Sequence, residues 1–131
     1  MQLKIDNASD RPVYQQIIDQ VKRDIALGRL SPQEKLPTVR ELAAALAINP
    51  NTIAKAYRQL EREGIITTRP GSGAFVAELS TDLNMSVRKR IVNAELERAV
   101  IEAIHMKIDK RTFIQWFNTV VEKFRFPAEK G

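Results

Sequence analysis

Three observations predict a mainly α-helical chain with one small β-hairpin. Two short helices with clear end signals stand in tandem within residues 36–64, a Pro-Gly-Ser-Gly turn between β-prone runs follows at once, and residues 83–107 hold neither proline nor glycine. The first two features together read as a winged helix-turn-helix. The third adds two C-terminal helices, the second with an aromatic stripe. The expected division is 1–79 for the winged unit and 80–131 for the helical segment.

In chain order, Leu3 and Ile5 alternate with polar neighbours, as an edge strand or as residues that simply pack down. Asp10 and Pro12 signal a helix start. Tyr14, Ile17, Ile18, Val21 and Ile25 then recur at helical spacing, and Gly28 is the natural stop. Pro32 and Pro37 block helix through the connector that follows. Lys35-Leu36 has the makings of a single-bridge strand, although nothing in the residues establishes it.

Thr38 with Glu41 is a capping box, and Val39, Leu42, Ala43 and Leu46 form the inward stripe of the helix it opens. Arg40 lies off that stripe near the helix start. It is placed to touch a phosphate or a base edge, or to pair with an acidic neighbour at the surface. The turn Leu46-Ala47-Ile48 lacks the glycine common in such motifs. A left-handed Ala47 would cost on the order of 1 kcal/mol relative to glycine; otherwise the turn takes another shape. Asn49 before Pro50 marks the second start, since proline drives its predecessor out of the helical region and is itself tolerated at the first helical position. Gly64 closes this helix.

Ile53, Ala56, Tyr57 and Leu60 form the buried edge of the second helix. At roughly 100° per residue, the opposite line is Asn51, Lys55, Arg58 and Arg62, flanked by Thr52 and Gln59. Asparagine can read adenine bidentately, threonine a base edge or a thymine methyl, and lysine a guanine or a phosphate. A polar face of this kind is compatible with mere solvation, but its place behind a capped helix and before a hairpin favours the DNA major groove. Asn51, Thr52 and Lys55 are the expected base readers, with Arg58 on the backbone and Arg62, a turn beyond, only solvated.

After Gly64 the period changes. Ile65–Arg69 and Ala74–Glu78 are β-prone, and Arg69-Pro70-Gly71-Ser72 suits a type II turn. The wing at Arg69, Gly71, Ser72 and Gly73 is expected to reach DNA backbone or the minor groove. Ser80–Asp82 offers a further helix start, and Val92, Leu96, Ala99, Val100, Ala103 and Ile104 keep helical spacing. Asp109 caps a last helix whose stripe is Phe113, Trp116, Phe117, Val120, Val121 and Phe124. Two helices of this size cannot bury such a stripe on each other alone. Leu96, Val100, Ile104, Phe113, Trp116, Phe117, Val120 and Phe124 are therefore expected to form a homodimer interface, the alternative being an intrachain core under the hairpin.

Composition narrows the function. A net charge of +5 is spread, with 11 basic and 9 acidic residues in 1–79 and 10 and 7 in 80–131, so any DNA footprint must come from local placement. There is no cysteine, and the single histidine, His105, has no second ligand beside it. Paired carboxylates and a phosphate loop are missing, so neither an enzyme nor a cofactor or metal site is expected. The Met-Gln-Leu-Lys-Ile-Asp start lacks an apolar signal core, and no run reaches membrane-spanning length, which points to the cytoplasm.

Several of these motifs, in order and at matching separations, resemble the GntR family of bacterial transcription regulators. They are Pro12-Val13-Tyr14 with Ile17, Leu36–Ala43, Asn49-Pro50-Asn51-Thr52, Ala56-Tyr57, Leu60-Glu61, Gly64, and Gly71-Ser72-Gly73 with Phe75-Val76. The short two-helix tail resembles the YtrA subfamily. The resemblance implies a dimeric DNA-binding repressor with contacts at Arg40, at the helix start from Asn49 to Thr52 and at Gly71. Pro50 and Ala54 stand where other branches carry arginine, so those contacts do not transfer. The expected function is sequence-specific transcriptional regulation by a homodimer on a two-fold operator in double-stranded DNA. The alternatives are a winged-helix adaptor for proteins and a nonspecific architectural DNA binder. The operator and any small-molecule effector cannot be read from the residues.

Overall fold

The computed structural model describes residues 1–78 and 85–127. The chain divides into two compact units, Met1–Leu79 and Ser80–Gly131. The first holds α1 (Val13–Ala26), α2 (Val39–Leu46), α3 (Pro50–Arg62), β1 (Ile66–Arg69) and β2 (Gly73–Val76). The second holds α4 (Met85–His105) and α5 (Lys110–Glu122). The expected helix start at Ser80–Asp82 lies outside the described residues.

The N-terminal segment packs down rather than pairing as a strand. Side-chain amides of α1 satisfy its backbone: the Lys4 N–H donates to Gln20 Oε1 and the Asp6 N–H to Gln16 Oε1, each at 2.9 Å. The buried Gln16 amide donates in turn to the Asp6 and Arg11 carbonyls at 3.0 Å. Helix α1 begins on Pro12, whose carbonyl accepts from the Gln15 and Gln16 N–H groups at 3.1 Å. No side chain caps it, so Asp10 does not play the part its position promised.

The core is made where α1, α2 and β1 close on α3. Ile17, Ile53, Ala56 and Leu60 have no exposed surface, and Ile18, Val21, Leu42, Ile66 and Val76 complete the layer. Burying each large apolar side chain contributes about 1.5–3 kcal/mol. Thr38 caps α2 by accepting from the Glu41 N–H at 3.0 Å, which is the hydroxyl half of the capping box. Asn49 caps α3 by accepting from the Asn51 N–H at 2.8 Å, with Pro50 in the first turn.

The turn between them is left-handed: Ala47 has φ 54° and ψ 47°. The Ile48 N–H reaches the Ala43 carbonyl at 3.0 Å and Ile48 packs against the core, so hydrogen bond and burial together hold alanine in a conformation it disfavours. Gly64 (φ 74°) makes the same closure for α3, with the Ile65 N–H on the Leu60 carbonyl at 2.9 Å.

The wing is an antiparallel pair in the register Ile66↔Val76 to Arg69↔Gly73. Its tip is the expected turn, with the Ser72 N–H on the Arg69 carbonyl at 3.0 Å and Gly71 at φ 76°. Lys35 bridges Phe75 on the free side of β2, so the connector does form the single-bridge strand. The Leu36 and Gln33 N–H groups donate to the Ala74 and Val76 carbonyls at 2.8 Å, tying the connector along the wing.

In the second unit, Lys107 (φ 58°) turns the chain from α4 to α5, and the Asp109 carboxylate caps α5. The Thr112 hydrogen bonds hold that carboxyl below its usual range. None of the described residues 85–127 is buried.

Because Ala47 is left-handed, Ala47→Gly should stabilise the protein by about 0.5–1 kcal/mol, the relieved strain less the entropy glycine adds to the unfolded chain. Urea unfolding checks this, and a midpoint that falls rather than rises would show that the turn carries no strain.

Candidate nucleic-acid interface

The outward side of α3 is fixed by its buried edge. With Ile53, Ala56, Tyr57 and Leu60 packed inward, Asn51, Lys55 and Arg58 are exposed and Thr52 is half-buried on the flank. Arg40 is exposed in the first turn of α2, and the wing residues Arg69, Gly71 and Ser72 are exposed behind α3. Asn49 is also exposed, but its side-chain oxygen is committed to the cap. Thr68 of the wing donates to Glu61 of α3 at 3.1 Å, joining wing and helix.

The charges sort themselves by face. The ion pairs of the first unit's described residues are Arg11–Asp19, Lys22–Glu63 and Arg29–Asp24. None of them involves Arg40, Lys55, Arg58, Arg62 or Arg69. Five cations thus stand on α2, α3 and the wing without a carboxylate in salt-bridge contact among the described residues, and a unit with a small net charge still offers a polyanion a concentrated site.

Two of these cations have neutral partners that only the fold brings to them, and a third has one on its own helix. The Lys55 ammonium lies 3.8 Å from the centroid of the Tyr14 ring on α1. Arg69 stacks on Phe75 at 4.3 Å and donates to Gln33 Oε1 at 3.0 Å. Gln33 in turn donates to Glu78 at 3.0 Å, so one connector residue steadies the wing arginine from its root. Arg62 donates to Gln59 at 2.8 Å, as suits a solvated residue of the helix end. Neither Tyr14 nor Gln33 was legible as a site residue: Tyr14 lay on an apolar stripe, and Gln33 (φ 73°) sits in a connector without periodicity.

Tyr57 ties α3 to the entry of α2, the helix whose first turn carries Arg40. The buried Tyr57 hydroxyl donates to the Pro37 carbonyl at 2.7 Å, one residue before the cap of α2. Burial, with the charge of Glu41 adding, pushes this hydroxyl well above the usual tyrosine range. Its contribution is therefore intact at neutral pH and is lost only in strong alkali.

Among the described residues no cluster of three His, Cys, Asp or Glu side chains is placed to hold a metal, and no helix is long and apolar enough to cross a membrane.

A helix-turn-helix with a two-stranded wing behind its second helix defines a winged-helix protein of the nucleic-acid-binding class. A profile described as "Bacterial regulatory proteins, gntR family" matches residues 13–76. The transcriptional repressor YtrA of Bacillus subtilis (strain 168) is 36% identical over 118 residues, 90% of this chain and 91% of that protein. The chain belongs to the GntR family, and its short tail is of the YtrA type. A crystal structure described as a transcriptional antiterminator from Listeria monocytogenes EGD-e matches with a TM-score of 0.83 at 25% identity, covering 100% of this chain and 98% of that one. The AraR DNA-binding domain in complex with operator ORE1 matches with a TM-score of 0.50 at 30% identity, covering 59% of this chain and 94% of that one.

Tyr57→Phe should cost about 1–3 kcal/mol, because it leaves the Pro37 carbonyl without its donor. Chemical unfolding measures this, and an unchanged midpoint would mean that the bond does not tie α2 to α3.

Proposed function

We propose that the chain is a sequence-specific repressor that acts as a homodimer on a two-fold DNA operator. It is a DNA-binding transcriptional regulator of the GntR family; the repressing role, the dimer and the contact residues are our reading. The cations around the outward side of α3, none of them in a salt bridge among the described residues, carry it. Asn51 and Thr52 face base edges at the start of α3, Arg58 and Arg40 add base or phosphate contacts, and the exposed tip from Arg69 to Ser72 lies against the backbone. Relatives support the assignment: one is named a repressor, and another domain was crystallised on its operator.

The dimer rests on the second unit. Its apolar side chains stay open to solvent, Trp116 at 54% and Phe117 at 43% exposure, with Leu96, Val100, Ile104 and Val120 comparably bare. Phe113 and Phe124 are half-buried. Helices this apolar need a second apolar surface, and a second copy provides an identical one. A two-fold pair also places two α3 helices for two half-sites.

Selection from a random DNA pool should enrich one inverted repeat, and the affinity for it should fall steeply with salt. A protein adaptor would show no such salt dependence, and an architectural binder would show it without enrichment. Arg40→Ala combined with Arg58→Ala should weaken operator binding by roughly 2 kcal/mol or more with the fold retained. A folded double variant that binds like wild type would overturn the assigned face. The first unit has its own complete core, so a fragment ending at residue 79 should fold and sediment as a monomer. If it sediments as a dimer, the C-terminal helices are not the principal interface.

A further inference from the structure

We propose that the groove between α1 and α3 is a phosphate-binding site filled by the DNA backbone, with the Lys55 ammonium and the Tyr14 hydroxyl as its clamp. The proposal rests on the regulator reading above. It changes the part assigned to Lys55, which the residues alone place at a base edge.

The groove measures about 370 Å³, and Tyr14, Lys22, Lys55, Gln59, Arg62 and Glu63 contribute to its walls. Three cations thus face one carboxylate. That carboxylate is already committed, since the Lys22 ammonium holds Glu63 at 2.8 Å. Arg62 is turned onto Gln59. Among the described residues the Lys55 ammonium has no anion, and the groove carries a net positive charge that a phosphate would neutralise.

Placement of the ammonium favours a phosphate over a base. The line of α3 opposite its buried edge runs through Asn51, Arg58 and Arg62. The Lys55 side chain leaves that line for α1, where its charge lies 3.8 Å from the Tyr14 ring centroid. An exposed cation–π contact is worth only about 0.5–1 kcal/mol. It is weak as a source of stability, yet it selects which side of α3 the lysine occupies. In helix-turn-helix complexes the recognition helix meets base edges with its N-terminal residues, and the motif's other helix, α2 here, crosses the sugar-phosphate strand. Lys55 lies beyond the start of α3 and is directed to its α1 flank, where the edge of a groove occupied by α3 is lined by phosphates.

Tyr14 supplies the second donor. Its residue is half-buried, and its hydroxyl makes no hydrogen bond among the described residues. A cation seated over a phenol ring stands within a few ångströms of the hydroxyl, so both can reach oxygens of a single phosphate. The ring gives Lys55 its direction, and the hydroxyl shares its ligand.

The test measures full-length protein against the selected operator and its single-base variants over a range of salt, with circular dichroism to confirm folding. Lys55→Gln should weaken every variant by a common factor of roughly ten, as expected for one charge-assisted contact. It should also reduce the slope of log K against log salt by about 0.9, the value for one phosphate. Tyr14→Phe keeps the ring and deletes the hydroxyl. It should weaken all variants uniformly while leaving the slope unchanged. A Lys55→Gln effect confined to one base-pair position makes Lys55 a base reader and overturns the clamp, as does unchanged affinity in either variant. Inorganic phosphate that binds wild type but not Lys55→Gln at constant ionic strength, and leaves operator affinity unchanged, assigns the groove to a free phosphate and overturns the backbone as its occupant. Wild-type protein that binds DNA without selecting any sequence overturns the regulator reading itself, while the response of the two variants on that DNA still decides the clamp.

Discussion

Helices α1 and α2 and strand β1 pack on one edge of α3, and β2 joins them through β1. Ile53, Ala56 and Leu60 are completely buried, and Tyr57 adds a hydrogen bond that reaches back to the entry of α2. At about 1.5–3 kcal/mol for each large apolar side chain, this edge outweighs any surface contact the helix makes, since exposed ion pairs are typically worth below about 1 kcal/mol. Helix α3 therefore cannot rotate to suit its polar residues. Asn51, Lys55 and Arg58 are exposed because the other side is held, and this polar face is a by-product of core packing.

The chain reversals obey the same constraint. After α2, α3 and α4 the backbone passes through one left-handed residue, Ala47, Gly64 and Lys107 in turn. Each time an isoleucine N–H then bonds to the carbonyl five residues back, from Ile48 to Ala43, Ile65 to Leu60 and Ile108 to Ala103. Glycine occupies only one of the three left-handed positions. In the first unit the following isoleucine packs against the core, and its burial offsets the strain that Ala47 accepts. Turn geometry here is imposed by what comes after the turn.

The two units differ in how they meet water. The first encloses a core that runs from Leu3 to Val76. The second exposes large apolar side chains along both of its helices. An amphipathic stripe read from sequence says only that a face must be covered. Whether it is covered is a question of length and packing, and α4 and α5 do not bury theirs on each other.

The residues by themselves determined the order of the elements, because the signals involved act within one helical turn. Thr38, Asn49 and Gly64 set helix ends through hydrogen bonds and dihedral preferences that need no distant neighbour, and Pro70-Gly71 does the same for the wing tip. The buried edge of α3, and hence which side faces out, followed from its periodicity. Tertiary structure alone decided the rest. The Arg69–Gln33 contact joins residues 36 positions apart and the Tyr57–Pro37 bond residues 20 apart. Lys55 on Tyr14 and the bridge from Lys35 to Phe75 likewise depend on how separate elements come to rest. Local preference reports what a segment favours in isolation. The reach of an arginine, the free side of a strand and the flank chosen by a lysine are set only after the core has closed and brought distant residues together.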